Sequence, residues 1–230
     1  IYPERSAKSI YHELIARGLI SSGSISLSTV QRFIRNHGLH KPKEKIKDRR
    51  AFEMEFPGDC WQTDLSQGPY LTIEGKKRKT WLTAFLDDNS RAVMAASFSF
   101  EQNLLSVLSV FKTAVMRRGI PKKLFMDNGK VFHADQFKFI CASLGTIASY
   151  AEAYSPQSKG KLERWFLTLQ RQWLNLLDWS TITSLDQLNE MLDDYVENQY
   201  HQNIHSAIKA KPIDRFTEHI EKIRFVSSKQ

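Results

Sequence analysis

The feature that most constrains this chain is a change of period at Phe56. Beyond it come strand-like runs at Asp59 to Ser66, Tyr70 to Glu74, Thr80 to Leu86 and Arg91 to Phe98. The turns between them are short and polar or glycine-containing, including one at Gly75-Lys76, so these runs predict an antiparallel meander. The period then lengthens to that of helices. Leu104, Leu108, Phe111 and Val115 mark one helix, stopped by Gly119-Ile120-Pro121, and Phe137, Ile140, Cys141 and Leu144 mark another. Short strands at Lys123 to Met126 and Thr146 to Ala151 alternate with them. Leu162, Trp165, Phe166, Leu169 and Trp173 form a further helical stripe, and Leu185, Leu188, Met191, Leu192 and Tyr195 the next. A meander followed by alternating helix and strand implies an α/β fold, a mixed sheet with helices on its faces.

The chain ahead of Phe56 reads differently. Ile10, Leu14 and Ile15 share one face of a helix over residues 6 to 17, which Gly18 stops. Ser26-Leu27-Ser28-Thr29 announces a second helix with Val30, Phe33 and Ile34 as its inner face, ending at Asn36-His37-Gly38. Two short helices exposing Gln31, Arg32 and Arg35 fit either part of a helix-turn-helix or a generic helical hairpin. The run Lys41 to Arg50 has one apolar residue in ten and cannot bury itself, so it reads as a linker or as an arm lying along DNA. Residues 1 to 50 hold 11 Lys and Arg against 4 Asp and Glu, whereas the remaining 180 hold 22 against 21. A basic arm on a nearly neutral globule points to a polyanion such as nucleic acid, or to a merely solvated basic surface. The expected divisions are therefore 1–40 (partial helix-turn-helix), 41–55 (linker), 56–216 (main domain) and 217–230 (carboxy-terminal extension).

At 230 residues and 41% apolar composition the chain can bury a substantial core. It starts at Ile1 and shows neither a leader nor an apolar run of the about 18 to 20 residues that span a membrane, so a soluble fragment of a longer protein is expected. Cys60 and Cys141 are far apart and make no zinc or disulfide pattern, and a reducing compartment follows.

Three acids stand where such a sheet would expose them. Asp64 interrupts the strand-like Cys60-Trp61-Gln62-Thr63-Asp64-Leu65, where a charge is costly unless a metal or a partner compensates it. Asp127 ends Leu124-Phe125-Met126 and enters the turn Asn128-Gly129. Glu163 lies about one turn into a helix and shares a face with Lys159 and Gln170 at the border of the apolar stripe. Each alone is also an ordinary strand-edge, turn or surface residue. Asp87-Asp88-Asn89-Ser90 reads as a hairpin turn rather than as ligands, and His201 and His205 read as packing or capping residues. No His or Cys cluster points to a soft metal.

Taken together, with 35 residues between Asp127 and Glu163, these acids resemble the D,D-35-E signature of the retroviral integrase and bacterial insertion-sequence transposase superfamily. Trp61-Gln62-Thr63-Asp64, Asp88-Asn89-Ser90-Arg91, Asp127-Asn128-Gly129, Ser155-Pro156 and Lys159-Gly160-Lys161-Leu162-Glu163-Arg164 follow in the family's order. Tyr200-His201-Gln202-Asn203-Ile204-His205, Pro212 and Arg215-Phe216 resemble the closing segment of many bacterial members. The resemblance implies a ribonuclease H-like, five-stranded mixed sheet and a DNA transposase or integrase. It further implies that Asp64, Asp127 and Glu163 bind two Mg²⁺ or Mn²⁺ ions, nick an element end and join its 3′ hydroxyl to target DNA. Hard divalent ions suit such an all-carboxylate set. The retroviral amino-terminal zinc module is missing, since His37 and His40 have no nearby Cys pair, and this points to the bacterial branch with a helix-turn-helix. Double-stranded DNA, a homo-oligomer on it and a bacterial cytoplasmic, nucleoid-associated setting follow as expectations, with Arg32, Arg35, Lys159, Lys161 and Arg164 as DNA contacts. Two other functions remain open: an assembly protein on a non-catalytic integrase fold, and a ribonuclease H-like nuclease.

Overall fold

The structure is a computed structural model that describes residues 7–21, 23–39, 53–151 and 160–226. The chain divides into two compact units between Phe52 and Glu53. Most of the linker expected at 41–55 lies outside the described residues, as do Ser155, Pro156 and Lys159.

The first unit contains α1 (Ala7–Ala16) and α2 (Leu27–Asn36). Ser26 caps α2 by accepting a hydrogen bond from the Thr29 amide, which satisfies one of the helix's orphan donors. Val30 and Ile34 are buried as expected, but Phe33 is 56% exposed and lies against the His37 ring. The inner face is thus narrower than the apolar pattern implies, because Phe33 is one residue short of the four-residue step from Val30 to Ile34.

The second unit is built on one sheet in the order β3-β2-β1-β4-β5. Strands β1 (Cys60–Ile73), β2 (Lys76–Asp87) and β3 (Val93–Ser99) form the antiparallel meander. Strands β4 (Lys123–Met126) and β5 (Ile147–Tyr150) add in parallel on the other side. The runs expected as two strands at 59–66 and 70–74 are one strand, interrupted by a register shift between Gln67 and Tyr70. Gly68 and Pro69 occupy that shift. Proline has no N–H for the ladder, and a Cβ on Gly68 would fall 2.9 Å from the Phe98 ring, so a bulge rather than a turn absorbs them.

Alternation along the strands makes two cores. Trp61 and Phe85 face α3 (Leu104–Arg118) and α4 (Asp135–Ser143), packing on Phe111 and Phe137. Leu82, Ala84 and Leu86 face the opposite way, onto Leu162, Trp165 and Leu169 of α5 (Gly160–Gln172) and Leu188 and Leu192 of α6 (Leu185–Tyr195). Helices cover both faces because each strand buries both of its side-chain rows. After α6 the helix widens into a π-helical turn at Val196–Tyr200, and α7 (Pro212–Thr217) follows. The segment past Phe216 packs onto the same unit: Ile223 is buried, and the Arg224 guanidinium donates to the carbonyls of Pro121, Leu144 and Gly145.

Candidate active site

Asp64 lies on β1, the middle strand of the sheet. The parallel pairing runs from Cys60 opposite Lys123 to Gln62 opposite Phe125, and the same offset carried two residues further would set Asp64 opposite Asp127. Asp127 follows directly on Met126, the last residue of β4. Adjacent strands lie about 4.8 Å apart, and residues in register on parallel strands point to the same face. Asp127 thus stands just past the carboxyl end of β4, on the strand beside the one that carries Asp64, although 62 residues separate the two in sequence. Each is oriented locally. An Asp64 oxygen accepts from the Leu65 amide at 2.9 Å, and Asp127 Oδ1 accepts from the Gly129 amide at 2.8 Å. Any Cβ at position 129 would sit 2.8 Å from that same oxygen, so glycine is what lets the turn fold back onto the carboxylate. Asn128 ties the turn to β5 by donating to the Ala151 carbonyl.

Glu163 stands in the first turn of α5. Asp64, Glu163 and Gln170 line one cleft of about 1040 Å³, which also reaches Tyr70 and Lys77. Glu163 borders a second cleft as well, where Arg164, Arg171 and His205 are found. Among the described residues no group of three or more His, Cys, Asp or Glu side chains lies close enough to hold a metal ion. Asp64 and Glu163 thus share a cleft, and the three acids do not close into a cage.

Under this site is a buried polar turn whose weight sequence reasoning missed. Asp87 to Asn89 do form the expected turn between β2 and β3, yet Asp87, Asp88, Asn89, Ser90 and Arg91 are all buried. The Asp87 carboxylate accepts from the amides of Gly58 and Ser90 and from the Ser90 hydroxyl. Burial nonetheless dominates and pushes its pKa up to about 6. Asp88 accepts from Gln62 Nε2 and the Met54 amide, and pairs with Lys161 Nζ at 2.6 Å. Burial lowers the Lys161 pKa, against the pull of Asp88. The side chain expected to touch DNA is thus turned inward. It pins the first turn of α5, two residues from Glu163, to the end of β2. The local signal was five consecutive polar residues directly after an apolar strand, a pattern shared with any exposed turn.

The other side chains expected to meet DNA lie apart from that turn. Arg164 faces the second cleft, and Arg32 and Arg35 are exposed on α2 in the other unit. His201 is fully buried, with Nε2 accepting from the Val93 amide and Nδ1 3.2 Å from Glu197. It is a packing residue joining the π-helical turn to β3. The pKa of His205 is lowered by burial and by Arg91 and Arg164.

A central strand carrying one acid, a parallel neighbour ending in a second, and a flanking helix carrying a third define a ribonuclease H-like core of the integrase type. Residues 55–156 match the integrase core domain family, so this stretch of the chain is similar to the transposases and retroviral integrases built on that domain. It is 27% identical over 183 residues to the transposase for transposon Tn552 of Staphylococcus aureus, covering 71% of this chain and 38% of that one. The chain thus spans well under half the length of that relative. A chain of the simian T-cell lymphotropic virus intasome superposes with a TM-score of 0.66 at 15% identity, covering 96% of this chain and 78% of that one. The HTLV-2 integrase catalytic core domain in complex with magnesium superposes at 0.54 with 21% identity, covering 70% and 98%. At such identities these likenesses speak for the fold.

Proposed function

We propose that this chain is the DNA-joining part of a transposase, which nicks the ends of a mobile element and joins the freed 3′ hydroxyl to target DNA. The observation that carries this reading is the cleft that Asp64 shares with Glu163, with Asp127 just past the end of the strand parallel to that of Asp64. The donor set fits a hard divalent cation: all three acids offer carboxylate oxygens and no thiol competes, since Cys60 and Cys141 are buried. Asp64, Asp127 and Glu163 would hold two Mg²⁺ or Mn²⁺ ions, which would supply Lewis-acid activation and charge stabilisation for displacement at phosphorus.

The chain's own residues supply position and charge. The central strands hold Asp64 and Asp127 on a rigid base, and α5 carries Glu163 at the cleft that Asp64 lines, on a helix fixed by Leu162, Trp165, Leu169 and the Lys161–Asp88 pair. Arg164 and Arg171, seven residues apart and so on one face of α5, can neutralise phosphates in the second cleft. Action as a homo-oligomer on duplex DNA, inside a bacterial cell at the nucleoid, completes the proposal. The likeness to a transposase of Staphylococcus aureus supports the bacterial setting.

The test is strand transfer with Mg²⁺ or Mn²⁺ on a pre-nicked element end, found by reading the flanking DNA for inverted repeats. Asp64→Asn, Asp127→Asn and Glu163→Gln should each abolish joining, a loss of at least about a hundredfold, while leaving fold and DNA binding intact. Robust joining by any one variant would remove that residue from the set. Cleavage of RNA–DNA hybrids in place of joining would move the assignment to a nuclease.

A further inference from the structure

Beyond the acids, the β1–β2 hairpin leaves the sheet. Strand β3 pairs with β2 only as far as Trp81, and β4 pairs with β1 only from Cys60 to Gln62. Residues 70–73 and 76–79 therefore pair with each other alone, as a free-standing two-stranded ribbon. Its turn is tight: Glu74 and Gly75 both have positive φ, of 50° and 75°, the conformation that two-residue hairpins favour. An isolated ribbon is marginally stable. This one is anchored by Leu71, which is 1% exposed in the core beside α5 and α6.

Four consecutive basic residues, Lys76, Lys77, Arg78 and Lys79, occupy its outgoing strand, in a unit whose overall charge is almost balanced. The first three are exposed. Three of the four are ordered on aromatic faces: Lys77 over Tyr70 at 5.0 Å, Arg78 over Phe100 at 3.7 Å and Lys79 over Trp81 at 4.0 Å. Such stacking orders the cationic heads without neutralising them, Lys77 and Lys79 on one face of the ribbon and Lys76 and Arg78 on the other. Tyr70 and Lys77 also line the cleft that contains Asp64 and Glu163, so the ribbon and the acids bound one continuous surface.

We propose that this ribbon is a DNA-tracking finger that grips the phosphate backbone of the duplex leading away from the reacting phosphate. A two-stranded β-ribbon has the width that a DNA major groove admits, and ordered cations on both of its faces can displace counterions from the phosphates on either side. The spacing follows from the strand. From Asp64 to Tyr70 is six residues and to Ile73 nine, or roughly 20 to 30 Å at about 3.3 Å per residue. At about 3.4 Å per base step, the finger meets phosphates roughly six to nine base pairs from the reacting one. This inference rests on the DNA-joining reading and adds to it the length of duplex the site requires.

The experiment uses the full chain and the combined variant Lys76→Gln, Lys77→Gln, Arg78→Gln. Binding is measured against salt on two pre-nicked duplexes, one extending about four and the other about fourteen base pairs from the joining end, either side of the predicted reach. On the long duplex the variant should lose up to about 2.7 from the slope of log affinity against log salt, at about 0.9 per neutralised phosphate, while on the short one the slopes should coincide. Lys77→Gln alone should remove about one phosphate's share, and Lys77→Arg should restore it, which separates charge from misfolding. An unchanged slope on the long duplex, or an equal loss on both, overturns the finger. Joining by the wild type is scored in the same samples, so a chain that binds as described but joins nothing counts against the proposed function and not against the finger.

Discussion

At the scale of single residues, the carboxylates of this chain are distinguished by what surrounds them. Asp87 is completely buried and its pKa is raised to about 6, chiefly by burial, against hydrogen bonds from Ser90 and Gly58. A folded-state value above the ordinary 3.8 means that the folded chain binds more protons than the unfolded chain between about pH 4 and pH 6. Asp87 therefore contributes most to stability below that window, and the contribution is lost as pH rises through it. Urea midpoints measured across pH 4 to 7 for the wild type and Asp87→Asn should show the difference between the two shrinking as pH rises, then levelling off. A difference that grows with pH would mean that the donors at Gly58 and Ser90 win over burial and keep the group ionised. Glu197 has the opposite sign. Burial opposes ionisation there, but His201 and Arg118 hold its pKa down to about 2, so its contribution is present above about 4.5 and lost on acidification.

At the scale of elements, α5 matters most, because it carries Glu163 and is attached to the sheet by two different means. Its apolar stripe, Leu162, Trp165 and Leu169, fixes its height above β1 and β2. The ion pair between Lys161 and Asp88 fixes its first turn at one point. Removing one partner of a buried pair strands the other charge and costs about 3 to 5 kcal/mol, whereas removing both is often close to neutral. Lys161→Met and Asp88→Asn should thus each destabilise the second unit strongly, and the double variant should recover much of the loss. The coupling is read from chemical denaturation in a double-mutant cycle. Strand-transfer activity measured on the double variant then asks a separate question. If the proposed function holds, Lys161 positions Glu163, and a double variant that is stable but poor at joining is expected, with turnover falling more than DNA affinity. Additive losses in the cycle would show that the pair does not act as a unit.

At the scale of the whole molecule, two compact units divide the work and the charge. The boundary between Phe52 and Glu53 leaves the sheet, both cores and all three acids on one side, and the excess of seven positive charges within residues 1 to 50 on the other. Deleting residues 1–52 should leave a cooperatively folding unit with a normal thermal transition. It should also flatten the dependence of log affinity on log salt, by about 0.9 for each phosphate that the deleted residues neutralise. An unchanged slope would remove the case for the basic segment as a DNA arm. Much of this division was legible in the linear chain, because hydrophobic period and local charge are properties of neighbouring residues. Strand alternation after Phe56, the helical stripes of α3 to α6 and the placing of Asp127 at a strand end all come from short windows. The candidate triad was legible through spacing and through its resemblance to a known signature. Other features depended on which distant segments meet. The polar run 87–91 is a buried hub because residues 53–59 fold over it. Lys161 turns inward because Asp88, 73 residues earlier in the chain, waits at the end of β2. Gln67 to Tyr70 is a bulge rather than a turn because Phe98 and Thr80 close over Gly68. Local periodicity decides what each segment becomes, whereas the partners of its polar groups are chosen by long-range packing, which no window of sequence contains.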